Sequence, residues 1–189
     1  MRKRVSISGV AVGVALVVAA LVPATASAEE RKCRGALGAV TVDNLKVPEG
    51  ATCTLTGTKV KGTIKVKDDA TLRASGVRVV GNVQAEGAAR VVITNSSRIG
   101  GSVQVKQGGA AKVVDSKVVG DIQYDDNSRL LKAKRNKVGG SIQVVENSGG
   151  ARIFSNVING NLQCKQNVPP PTGGGNIVGG NKEDQCAGF

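Results

Sequence analysis

One glycine, at the head of the phrase GSIQV (Gly140–Val144), returns along the chain at an almost constant step. Gly62, Gly81, Gly101, Gly120, Gly140, Gly160 and Gly180 open equivalent phrases, 19 or 20 residues apart. The apolar residue two places later keeps the step, as Ile64, Val83, Val103, Ile122, Ile142 and Leu162. A fixed period of this length marks a stacked repeat, in which one unit buries its apolar edge only against the next.

Each phrase alternates apolar and polar residues, the period of a half-buried strand. A second alternating run precedes each glycine, with Cys53, Leu72, Val91, Ala111, Leu131 and Ala151 inward. A turn follows at Gly57, Gly76, Ser96, Ser116, Asn136 and Asn156, where Gly and Asn tolerate left-handed backbone. A third short run then places Val60, Val79, Ile99, Val118, Val138 and Ile158 inward. Three short strands and three corners per repeat predict an all-β, single-domain parallel β-helix. The chain has no Trp and only three other aromatic residues, so its core must be Val, Ile, Leu and Ala in narrow layers. Left-handed β-helices count in hexapeptides, about 18 residues per coil, so steps of 19 and 20 favour the right-handed form.

The pattern resembles secreted bacterial right-handed β-helix repeat proteins, and its G-x-[IV]-x-V rhythm is similar to the bactofilin family. The resemblance covers residues 43–186 and implies architecture, because β-helices host lyases, hydrolases, adhesins and scaffold polymers alike. Bactofilins are cytoplasmic polymers. This chain departs from them in an export signal and in cysteines near both ends.

That signal is read over residues 1–28. Arg2, Lys3 and Arg4 precede the apolar run Val10–Val22, and Ala26-Ser27-Ala28 is a small-x-small cleavage site. Residues 29–43 are expected to form an N-terminal cap and 44–186 the coils. The tract NVPPPTGGG (167–175) is read as a loop inserted before the last coil, and 187–189 as a tail. Without the signal the chain keeps 23 Lys and Arg against 14 Asp and Glu, a formal charge of +9. No later apolar run is long enough to span a membrane. Export to an oxidising compartment makes the four cysteines two disulfides. The repeat pairs Cys33 with Cys53 and Cys164 with Cys186, each about one coil apart. No His and no CxxC spacing argue against a metal site, and no cofactor motif is present.

Function on such a fold is written in surface columns. Lys59, Arg78, Arg98, Lys117 and Lys137 recur once per coil on the third strand, with Lys112, Lys132 and Arg152 nearby on the second. Like charges about 4.8 Å apart cost close to 1 kcal/mol per pair in water. An acidic polysaccharide or another polyanion would relieve that cost; a solvated face whose long side chains cover strand backbone is the competing reading. Nucleic acid is the weaker candidate, since no aromatic platform is available for stacking. A second column, Lys46, Lys65, Gln84, Gln104, Gln123, Gln143 and Gln163, is either a carbohydrate face or a stacked amide ladder. Glu49, Asp68, Asp126 and Glu146, with Asp69 and Asp125, collect carboxylates at one corner, as a polysaccharide lyase or hydrolase would need. Gly87 and Gln107 interrupt that column, and uniform coils raise no walls for a cleft. The expectation is therefore a secreted, non-catalytic structural or binding protein, with the enzyme as its alternative. The sequence leaves the oligomeric state open.

Overall fold

A computed structural model describes residues 29–189. The signal peptide read at 1–28 lies outside the described residues. The chain winds as a parallel β-solenoid of three sheets, one strand from each sheet per coil. The first sheet has nine strands, from Glu30–Lys32 to Lys182–Asp184. The second has eight, from Gly35–Leu37 to Thr172–Gly174. The third also has eight, from Thr41–Val42 to Ile177–Val178. No helix occurs among the described residues.

Register follows the repeat. Ile64 faces Val83, Val83 faces Val103, Val103 faces Ile122, and Ile122 faces Ile142. This column, with Leu55, Leu72, Ile93 and Leu131 from the second sheet and Val60, Ile99 and Val138 from the third, is fully buried. Tyr124 is the one aromatic ring sealed inside, and its hydroxyl donates to Lys132 O at 3.1 Å.

The phrase-opening glycines have a steric reason. Beside them runs Asn44, Thr63, Asn82, Ser102, Asp121, Ser141 and Asn161, and each side-chain oxygen accepts the backbone N–H of the next coil. Asn82 Oδ1 takes Ser102 N–H at 2.7 Å, Ser102 Oγ takes Asp121 N–H at 3.0 Å, and Asp121 Oδ1 takes Ser141 N–H at 2.7 Å. A Cβ on the glycine before each accepted amide would collide with that oxygen.

Two further ladders run through the interior. Asn127, Asn147 and Asn167 stack at the corner between the first and second sheets, and Asn136, Asn156 and Asn176 at the corner between the second and third. The turn expected at Ser96, Ser116, Asn136 and Asn156 is shifted by one position. The left-handed residues that align are Asn95, Asp115, Arg135 and Ser155 (Ser96 is left-handed as well). The residue after the turn points inward and bonds its neighbours.

The reading of 167–175 as an inserted loop is overturned. Thr172–Gly174 pairs in parallel with Ala151–Phe154, and the step from Ile153 to Gly173 is the ordinary 20 residues. Pro171 is buried in the inward column above Ala151. The equivalent amide at Leu131 donates to Gly150 O in the following coil. No second-sheet strand follows Thr172–Gly174 among the described residues, so the missing N–H of Pro171 costs no ladder bond.

The ends are closed in several ways. Residues 30–42 already contain three strands in register with the next coil. Disulfides join Cys33 to Cys53 and Cys164 to Cys186, with Cα separations of 5.6 and 5.2 Å. Cys33 does not sit in the Cys53 column, where Gly35 is the register partner; it follows the first-sheet strand and reaches across the corner. Phe189 packs on the core beside Gly173 and so covers that coil. Each bridge closes a loop near 20 residues, worth about 3 kcal/mol on the chain-entropy model. Cys33→Ser with Cys53→Ser should lower stability by that amount in urea unfolding. A loss under about 0.5 kcal/mol would mean that strand stacking alone holds the first coil.

Candidate functional site

The third sheet stacks its cations in register. Lys59 faces Arg78, Arg78 faces Arg98, Arg98 faces Lys117, and Lys117 faces Lys137. All five side chains are exposed, while Val60, Val79, Ile99, Val118 and Val138 beside them are buried. The two-residue strands hold this orientation because one residue must turn inward and the other outward. No Asp or Glu occupies a strand of the third sheet among the described residues. None of the ion pairs found among those residues includes one of the five.

Lys112, Lys132 and Arg152 also stand in register, but on the second sheet. The eight residues therefore form two columns on adjoining faces. At the corner between them, Arg135 donates from Nε and Nη2 to both Asp115 oxygens, at 2.6 and 2.7 Å. That two-pronged bond holds the Asp115 carboxyl below its ordinary range and raises the Arg135 guanidinium. The pair is exposed, so it fixes geometry more than it stabilises.

The glutamine column bonds to itself. Gln104 Nε2 donates to Gln123 Oε1 at 2.8 Å, and Gln123 Nε2 to Gln143 Oε1 at 3.0 Å. Its amides are engaged along the stack, as a structural ladder requires.

The acidic corner is a turn. Asp69, Gln107, Asp126 and Glu146 are its left-handed residues, alternating with Gly50 and Gly87 in other coils. No group of three or more His, Cys, Asp or Glu side chains among the described residues is arranged to hold a metal ion. The surface hollows are shallow. One is bounded by Lys32, Arg34, Lys46, Pro48, Glu49 and Lys67, and another by Arg78, Val80, Arg98, Gly100, Lys117 and Val119.

Lys32, Lys46 and Lys65 form a third in-register cation column, on the first sheet. Lys46 and Lys65 head the glutamine column, as the repeat places them. Lys32 also falls on the column once the first coil is recognised as regular.

Comparison of the chain with protein-family models, with curated proteins and with solved structures found no match. The likeness to bactofilins thus rests on the repeat rhythm alone. No helix of the described residues is long and apolar enough to cross a membrane. The two disulfides are consistent with an oxidising environment.

Proposed function

We propose that the protein is a secreted, non-catalytic binding or structural protein of the cell envelope or extracellular space, and that its third sheet binds an acidic polysaccharide. One observation carries this reading: five in-register cations on a sheet with no carboxylate. Adjacent charges in the column repel by close to 1 kcal/mol per pair in water. A bound polyanion converts that repulsion into attraction and gains counterion release. The flat, uniform face suits an extended polymer better than a small molecule, which needs a concave pocket.

The test is retention of the protein on polygalacturonate at two salt concentrations, with Arg78→Gln, Arg98→Gln and Lys117→Gln combined. The triple variant should bind more weakly, and its salt slope should fall by about 2, at about 0.7 per cation removed. Its stability should hold or rise slightly, because no core atom changes. Gln104→Ala with Gln123→Ala should leave retention unchanged. Equal binding by the triple variant and the parent would reduce the column to a solvated face. Release of reducing ends or unsaturated uronates would instead place the protein among polysaccharide hydrolases or lyases, with the acidic corner as the place to look.

A further inference from the structure

The three cation columns occupy different heights of the solenoid. On the first face the cations are Lys32, Lys46 and Lys65, in the first three coils; the same column then becomes Gln84 and Gln104. On the third face they run from Lys59 in the second coil to Lys137 in the sixth, and the column ends in Val157. On the second face Arg73 stands alone in the third coil, Val92 breaks the column, and Lys112, Lys132 and Arg152 then occupy the fifth to seventh coils, ending at Thr172. Where one column stops, the neighbouring face has already begun the next.

The corners join them. Lys59 and Lys61 lead from the third face directly into Lys65 on the first, with Lys61 held by Asp43 at 3.0 Å. Lys132, Lys134, Arg135 and Lys137 lead from the second face round to the third within one coil. The corner between the first and second faces is mixed: Glu49, Asp68, Asp69, Asp125, Asp126 and Glu146 stand there beside Lys67 and Lys106, the latter paired with Asp125 at 3.5 Å. Positive charge thus runs obliquely over two corners and is interrupted by carboxylates at the third.

We propose that these columns are one oblique cationic stripe, and that a single chain of a linear, carboxylated polysaccharide wraps the solenoid along it. This rests on the polysaccharide-binding reading of the third sheet and extends it from one column to three faces. Coils rise about 4.8 Å each, so the third-face column alone covers about 19 Å of axis and the stripe from Lys32 to Arg152 about 29 Å, before its lateral travel is counted. A 1,4-linked pyranose is about as long as one coil is high, so one carboxylate per sugar keeps step with one cation per coil. Duplex DNA, with one charge per roughly 1.7 Å of axis, does not keep that step. A run of aromatic platforms for a single strand is also missing, since Tyr124 is sealed in the core and Phe154 is the one ring on the strands of the stripe, half-buried.

The experiment is a length series of oligogalacturonates, from pieces that fit the third face to long polymer. It is read on the parent, on Lys46→Gln with Lys65→Gln, on Lys112→Gln with Lys132→Gln and Arg152→Gln, and on the third-face triple variant. Short pieces should bind both end variants like the parent. Long polymer should bind each end variant about tenfold more weakly in moderate salt, with the salt slope lower by about 0.7 per cation removed. The stripe is overturned if both end variants bind long polymer like the parent while the third-face variant is weakened; the polymer then lies along one column. If the third-face variant is unaffected as well, the polysaccharide reading itself fails. Equal or tighter binding of single-stranded RNA of matched length at the same salt would overturn the assignment of the polymer as a saccharide. All substituted side chains point outward, and unchanged melting curves verify that each variant is folded.

Discussion

Asn156→Ala should lower stability by about 3 kcal/mol or more, while Gln123→Ala, which also removes one rung of an amide ladder, should cost under about 1 kcal/mol. The two ladders share chemistry and differ in burial. Asn156 Oδ1 accepts Asn136 N–H at 3.1 Å and Asn136 Nδ2–H at 3.0 Å, and its own Nδ2 donates to Ala133 O and Asn176 Oδ1. Asn156 is fully buried and Asn136 nearly so. Truncation leaves the Asn136 N–H without its acceptor in a dry interior, where an unpaired donor costs about 1–3 kcal/mol, and removes the remaining bonds besides. Gln123 is only half-buried, so water replaces its partners. Asn156→Asp gives a second readout. A carboxylate facing Ala133 O and Asn176 Oδ1 is disfavoured, so the folded-state pKa of that group rises above its unfolded value. Stability is then greatest at low pH and falls as pH rises through the ordinary carboxylate range. Chemical denaturation at two pH values measures all of this. A cost for Asn156→Ala no larger than that for Gln123→Ala would show that the interior ladder is wet.

That ladder marks where the sequence stopped being readable. A strict period with alternating apolar residues specifies stacked strands, and Ile64, Val83 and Val103 needed nothing else to be placed. Asn136 and Asn156 fall where alternation ends, and asparagine after a strand ordinarily means a turn in solvent. Their inward direction depends on the left-handed residue just before them, and Arg135 or Ser155 gives no compositional hint of that backbone. The recurrence of Asn136, Asn156 and Asn176, and of Asn127, Asn147 and Asn167, at steps of 20 was the available signal. The proline tract misled for a similar reason. Composition said loop, yet Ala151 and Pro171 keep the period, and a proline is tolerated where no further strand needs its N–H.

The cation columns were legible as columns because their sign repeats with the period. Their assignment to different strands of the coil was legible as well; their oblique order was not. Lys112 and Lys117 are five residues apart in sequence and stand on different sheets, since a corner lies between them. The oblique arrangement emerges only when register gives every residue both a face and a height. The disulfides show the opposite case. A separation of about one coil was enough to pair Cys33 with Cys53, although the two do not share a column.

Gly120→Ala should cost about 3 kcal/mol, against almost nothing for Gly38→Ala. A Cβ at Gly120 would fall on Ser102 Oγ and lie 3.0 Å from the carbonyl carbon and oxygen of Gly101, whereas one at Gly38 meets nothing within 4 Å. Neither glycine has a positive φ, so backbone preference does not separate them. The cost at Gly120 has two parts. Crowding of a packed coil costs about 1–3 kcal/mol. Displacing Ser102 Oγ also deprives Asp121 N–H of its acceptor, worth about 1 kcal/mol more. Because both parts run through one oxygen, the two sites should couple. Ser102→Ala alone removes that acceptor; combined with Gly120→Ala it also removes the main obstruction. The double variant should therefore be less destabilised than the sum of the singles by at least about 0.5 kcal/mol. Urea unfolding of the four proteins closes the cycle. Strict additivity would mean that Gly101 backbone, not the Ser102 hydroxyl, keeps position 120 a glycine. It would also mean that the recurring G-x-[IV] phrase records the closeness of the coils rather than the side-chain bonds between them.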